Sequence, residues 1–327
     1  MHVFVAGGAG YVGSRLVPEL LKQGYLVTVY DLYLYGRDVF EQHPNLKEVQ
    51  ADIRNLDKAK ESLEGCDIVI HLACISNDPS FELNPALGKS INLDSFEPFV
   101  QLAKASGIKR FIYASSSSVY GVKAELDVTE EMVLEPLTDY SRFKADCEEI
   151  ILKYQAPDFI CTVLRPATVC GYAPRQRLDL VVNILVNCAY NKGVIKVLGG
   201  DQMRPNIHIE DMVRAYIQVL QEPAEKIQGE IFNVGYHNHT VMDIGSMVAQ
   251  VVGRKKPVEL LVEPTNDNRS YHVSSKKIAE KLGFVPKYTI ENAVEDLVDA
   301  FEKGLLPDSF ENERYFNIKM MKAVNLQ

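Results

Sequence analysis

The first thirteen residues constrain the fold more than any other part of the chain. The apolar run His2–Ala6 leads directly into Gly7-Gly8-Ala9-Gly10-Tyr11-Val12-Gly13, after which Val12, Leu16, Val17, Leu20 and Leu21 recur at helical spacing. A strand, a glycine turn and a helix in that order put a helix N-terminus beside backbone that a ligand can approach closely. Gly7, Gly10 and Gly13 follow a GxxGxxG spacing that suits a pyrophosphate crossing the turn, with Tyr11 and Val12 between them. Asp31 ends the next strand about twenty residues on, where a carboxylate accepts hydrogen bonds from a ribose diol. It would repel a 2′-phosphate. Leu32, Tyr33 and Leu34 follow, and Arg37 is the nearest cation, so the pattern points to NAD rather than NADP. Asp52-Ile53, beyond the next apolar run, are candidates for the adenine contact.

Apolar runs at Tyr25–Tyr30, Asp67–Leu72, Arg110–Ala114 and Ile160–Leu164 alternate with helical stretches, which implies a parallel sheet. The expected fold is α/β, a doubly wound Rossmann-type sheet over residues 1–172, with a smaller α/β substrate lobe over 173–327. Segments near 205–236 are expected to pack back onto the first unit. In the lobe, a helix over Leu180–Asn191, short strands near Val194–Leu198 and Ile207–Ile209 and a final helix near Ile290–Glu302 are expected. With 327 residues, 46% apolar and 24% charged, the chain can bury a large core. A net charge of −9 argues against a nucleic-acid footprint. No segment reaches a membrane-spanning length, and the start lacks a signal-like apolar stretch. The six cysteines, 66, 74, 147, 161, 170 and 188, show no CxxC or metal spacing and fit a reducing compartment, so a cytoplasmic protein is expected.

The chemistry is expected at Tyr140-Ser141-Arg142-Phe143-Lys144, which puts tyrosine and lysine on one face of a helix. A free tyrosine, with a pKa of about 10, is a poor base, but a neighbouring ammonium favours the phenolate. Strand Phe111–Ala114 runs into four serines, 115–118, whose hydroxyls face the usual crevice at a strand's C-terminal end.

Together these residues resemble the extended short-chain dehydrogenase/reductase superfamily, in its nucleotide-sugar epimerase, dehydratase and reductase branch. The likeness covers nearly the whole chain and includes His71-Leu72-Ala73, Asn92, Leu164-Arg165-Pro166, Arg204, Asp211, Phe232-Asn233-Val234-Gly235 and Leu282-Gly283-Phe284. It implies Tyr140 as acid and base, Lys144 on the nicotinamide ribose, and Ser116 on the reacting sugar oxygen. It implies NAD contacts from Leu72, Ala73, Asn92 and Pro166, and a homodimer. Dehydratases of this branch follow that Ser or Thr with an Asp-Glu pair. Ser117 and Ser118 stand there instead, which argues against dehydration.

A sugar diphosphate needs cations across the cleft, and Arg175, Arg177, Arg204 and Arg269 are candidates, with Arg204 and Arg269 resembling the branch's diphosphate-binding arginines. Asn183, in a run resembling a heptose 4-dehydrogenase-like subgroup, is a further candidate for substrate. His208 is expected to be packed, and His237 and His239 alone do not make a metal site. The expected activity is NAD-dependent epimerisation of a nucleotide sugar through oxidation and re-reduction of C4. A net 4-dehydrogenase or 4-ketoreductase is the second reading, and a silent NAD-binding regulator the third.

Overall fold

A computed structural model describes residues 1–76, 78–125, 127–265, 270 and 272–324. Twelve strands occur among them: β1 (His2–Ala6), β2 (Leu26–Asp31), β3 (Leu46–Gln50), β4 (Ile68–His71), β5 (Arg110–Ala114), β6 (Ile160–Pro166), β7 (Thr168–Cys170), β8 (Val194–Leu198), β9 (Met203–His208), β10 (Glu230–Val234), β11 (His237–Thr240) and β12 (Glu259–Glu263). Seven form one sheet in the order β10-β6-β5-β4-β1-β2-β3, and every neighbouring pair is parallel. Strands such as Val3–Ala6 read as unbroken apolar runs because both faces are covered.

Helices Gly13–Lys22 and Ile209–Gln221 cover one face through Leu16, Val17, Leu20, Met212, Val213 and Tyr216. Helices Leu56–Leu63, Phe96–Ala105 and Asp139–Lys153 cover the other, with Leu63, Phe96, Phe99, Val100 and Ile151 buried. Connectivity reverses direction at β1, which pairs with β2 on one side and β4 on the other. A ligand crevice opens at the C-terminal ends of such a pair.

The remaining elements build a second region. Helices Val181–Lys192, Val241–Gly253 and Ile290–Glu302 enclose a separate core of Val186, Val248, Val294 and Leu297 beside the β8–β12 pair. β9 pairs with β7 and β11. The strand expected at Ile207–Ile209 begins earlier, at Met203, and stops at His208. There Nδ1 accepts from Glu210 N–H at 3.1 Å and caps the next helix. Helix Ile209–Gln221 and β10 return to the large sheet.

The chain does not end its regular structure with Ile290–Glu302. A further helix, Asn317–Val324, crosses back, and its Met321 packs in the core of the first region. Among the described residues no helix is long and apolar enough to cross a membrane.

Beneath β5 and β6 lies a dense polar network. Glu148 and Arg165 pair at 2.6 Å, each side chain 3% exposed. Arg165 also donates to Tyr120 Oη at 2.7 Å, and Tyr120 donates to Asn233 Oδ1 at 2.7 Å. Ser115 donates to Glu148. The network fixes the ends of β5, β6 and β10 against helix Asp139–Lys153.

Candidate active site

The glycine turn wraps the C-terminal end of β1. Gly7 has φ +74°, and a Cβ there would lie 2.6 Å from Ala73 N, so the turn and the β4 loop touch through bare backbone. At Gly10 a Cβ would meet nothing within 4 Å except Gly7 O at 3.1 Å, and Gly10 lines the adjoining cavity. That open cradle beside the start of helix Gly13–Lys22 fits a dinucleotide diphosphate. Asp31 accepts from Ala9 N–H at 3.0 Å and Tyr33 N–H at 2.8 Å. Burial pushes its carboxyl above the usual range, and the two amides oppose that rise. Arg37 turns away to Gln50, 2.9 Å distant, which agrees with a site built for NAD.

Thr138 starts the helix Asp139–Lys153, its hydroxyl accepting from Ser141 N–H at 3.2 Å. Tyr140 therefore sits in the first turn and Lys144 one turn below it. Lys144, 4% exposed, donates to Ala114 O at 2.6 Å, with its Nζ 6.0 Å from the Tyr140 ring centroid. Ser116 caps the short helical turn Ser117–Tyr120. Its Oγ accepts from Ser118 N–H at 3.1 Å and lies 2.9 Å from Ser118 Oγ, to which Ser141 donates at 2.8 Å. Ser118, one of the two serines where dehydratases carry an acidic pair, thus links Ser141 to Ser116 in a hydroxyl chain that holds Ser116.

A cavity of about 410 Å³ joins these parts. Gly7, Gly10, Tyr11, Val12, Gly13, Asp31, Ile53, Leu72, Ala73, Ser116, Tyr140, Lys144 and Pro166 all line it. Four other candidates do not. Asp52 faces Arg54, at 2.7 Å. Asn92 braces the β4 loop by accepting from Ile75 N–H at 2.8 Å and donating to Ile75 O at 2.9 Å. Asn183 is fully buried and holds loop 171–180, donating to Tyr11 Oη and Arg177 O and accepting from Gly171 N–H. Both N–H groups of its amide are engaged in bracing that loop. Arg204 lies on β9, opposite His239. Arg269 lies outside the described residues.

The wall facing the glycine turn contains residues not picked out from the sequence, namely Tyr35, Ser76, Asn317 and Met321. Arg175 and Arg177, expected on the sugar side, also line this cofactor cavity. Tyr11 Oη donates to Gly171 O at 2.6 Å, and Arg175 N–H donates to Ser14 Oγ at 3.3 Å, so their loop is docked on the turn. His71 lies below, fully enclosed by Phe96, Phe99, Phe111 and Tyr113. Burial first, then Lys144, holds its imidazole neutral, with a pKa down to about 3. No cluster of three or more His, Cys, Asp or Glu suited to a metal occurs among the described residues.

Residues 3–235 match the model of the NAD dependent epimerase/dehydratase family. A UDP-glucose 4-epimerase from Lactobacillus helveticus is 29% identical over 320 residues, covering 91% of this chain and 95% of that protein. The solved structure of UDP-glucose 4-epimerase from Thermotoga maritima, with UDP-glucose, is 26% identical with a TM-score of 0.81, covering 93% of this chain and 100% of that one. UDP-glucuronic acid 4-epimerase from Bacillus cereus, in complex with UDP-glucuronic acid and NAD, is 25% identical with a TM-score of 0.81, over 93% and 99% of the two chains. With the parallel sheet, the glycine turn and Asp31 at one cavity, the chain belongs to the NAD-dependent epimerase/dehydratase family, enzymes of the extended short-chain dehydrogenase/reductase type.

Proposed function

We propose that this enzyme is a nucleotide-sugar epimerase that oxidises and re-reduces one sugar carbon, C4, at Ser116, Tyr140 and Lys144. The observation that carries the reading is that these three side chains and the glycine turn line one cavity. NAD, when bound, supplies the acceptor and then the donor of hydride. Tyr140, as the phenolate, takes the proton of the sugar hydroxyl as the carbon is oxidised and, as the phenol, returns it on reduction. Lys144, pinned by Ala114 O, keeps a positive charge beside that phenolate. Ser116 Oγ, held by Ser118, hydrogen-bonds the reacting oxygen.

Dehydration is disfavoured because Asp31, at the far end, is the only carboxylate among the described lining residues. The 4-epimerases named above act on UDP-linked sugars, so a UDP sugar is the first substrate to try. Arg204 is assigned to the sugar's diphosphate, in the second region. A cytoplasmic homodimer is the proposed form, and the six free cysteines support the reducing compartment. Light scattering tests the dimer.

Proton NMR of the pure protein against UDP-, GDP-, CDP- and dTDP-sugars, with no cofactor added, tests the activity. Catalytic conversion of one sugar to its C4 epimer is expected. If product forms only with one nicotinamide or keto acid consumed per sugar, the enzyme is a net oxidoreductase and the proposal fails.

A further inference from the structure

Loop 171–180 carries two guanidinium groups into the interior. Arg175 is 5% and Arg177 9% exposed. Arg175 stacks its Cζ 3.4 Å from the Tyr35 ring centroid and donates from Nη2 to Asn317 Oδ1 at 2.6 Å. Its Nε and Nη1 have no hydrogen-bond partner among the described residues. Arg177 donates from Nε to Asp179 at 2.9 Å and from Nη1 to Ser76 Oγ at 3.3 Å, leaving Nη2 without a partner among the described residues. Of the two cations, Arg177 alone is hydrogen-bonded to Asp179, while Arg175 faces Asp31 and Asp179 without a hydrogen bond to either. Burial, with Arg177 alongside, pulls the Arg175 guanidinium down to about 10.

Buried guanidinium nitrogens without acceptors are costly unless an anion meets them. The anion's place follows from what else lines the cavity. The glycine turn offers only neutral backbone donors and a helix N-terminus, whose first turn carries no acid. The other lining cation, Lys144, is held by Ala114 O beside Tyr140. Among the described lining residues, counter-charge for a diphosphate on the turn is left to Arg175 and Arg177, whose loop is anchored to Ser14 beside the turn and to Ser76.

We infer that Arg175 and Arg177 form a guanidinium clamp for the diphosphate bridge of the bound dinucleotide, closing the cleft beside the glycine turn. The sugar's diphosphate is not their ligand. Asn317, donating to Ser76 Oγ at 2.8 Å and accepting from Arg175, ties the C-terminal helix into the clamp. The inference rests on NAD occupying this cavity and is independent of which sugar reaction follows.

The test uses cofactor-depleted full-length protein and its Arg175→Gln and Arg177→Gln variants, with calorimetric titration of NAD, ADP, adenosine and a UDP sugar. Each variant should weaken NAD and ADP by about ten- to a hundredfold, the scale of a lost charge-assisted hydrogen bond, while adenosine changes less than about twofold. Arg→Lys variants should recover part of the loss. Inorganic pyrophosphate should compete with NAD in the native enzyme, a measurement that stands even if a variant folds poorly. Equal losses for adenosine and NAD would mean a structural role and overturn the clamp. So would a loss confined to the UDP sugar, unchanged NAD binding in both variants, or no competition by pyrophosphate. Failure of the epimerase assay alone would leave these titrations unaffected.

Discussion

Arginine is buried twice around this active site, and the two places differ in how completely it is matched. Under β5 and β6, Arg165 engages all three nitrogens: Nε and Nη2 go to Glu148, and Nη1 goes to Tyr120 Oη and Glu130 O. Across the cofactor cavity, Arg175 and Arg177 keep three nitrogens without partners among the described residues, and only Arg177 bonds a carboxylate. The first arrangement is complete in the protein alone and holds strands in place. The second is complete only with an anion, so its arginines answer to a ligand more than to the fold. Satisfaction of donors, more than burial, separates a structural arginine from a binding one.

The largest expected effect lies at the chemistry that both arrangements serve. Tyr140→Phe should lower turnover by about a hundred- to ten-thousandfold, the range for a lost general acid–base, and leave the NAD dissociation constant unchanged by calorimetry. Next, Arg165→Met should cost about 3–5 kcal/mol in urea unfolding, because the buried Glu148 would lose its cation and keep only the Ser115 hydroxyl. Arg175→Gln should cost the cofactor-free protein little. Equal losses for the two would break the comparison.

His71 gives a third, neutral case, with both ring nitrogens lacking partners among the described residues. Its folded pKa of about 3 lies below the unfolded value of about 6.5, so the unfolded chain takes up the proton first. The stability associated with neutral His71 is fully present above about pH 6.5 and is lost progressively as pH falls toward about 3. Denaturation against pH should show this acid limb, on the order of 4 kcal/mol deep, and His71→Phe should flatten it. An unchanged limb would place the titration elsewhere. The smallest effect is expected for Asn317→Ala, which should weaken NAD binding by about threefold to tenfold through Arg175 and leave kcat at saturating cofactor unchanged.

Much of the site could be read from the sequence because its signals are local. Gly7 to Gly13 lie within one turn, Asp31 ends the next strand, and Tyr140 and Lys144 share one helical turn. The clamp was hidden because it is assembled from distant parts. Asn317 meets Ser76 across 241 residues of chain, and nothing in either neighbourhood announces the contact. The sequence offers Arg175 and Arg177 only as two of four candidate cations for a sugar diphosphate, because they stand in a loop-like run. The side-chain bonds from Tyr11 and to Ser14 that dock it on the glycine turn have no periodic signature. The bonds of Asn183 to Tyr11 and Gly171 are hidden for the same reason, because these partners converge only after folding. The C-terminal helix spans only eight residues, too few for a clear apolar period.

The central claim is that one bound cofactor takes hydride from the sugar and returns it to the same carbon. The direct test is the nucleotide sugar converted in the NMR panel, deuterated at C4 and followed over many turnovers with unlabelled NADH in the medium. The account predicts that the product keeps its deuterium at C4 and that none appears in the added nicotinamide. Loss of the label from C4, or its transfer to the medium's cofactor, would contradict recycling at Ser116, Tyr140 and Lys144.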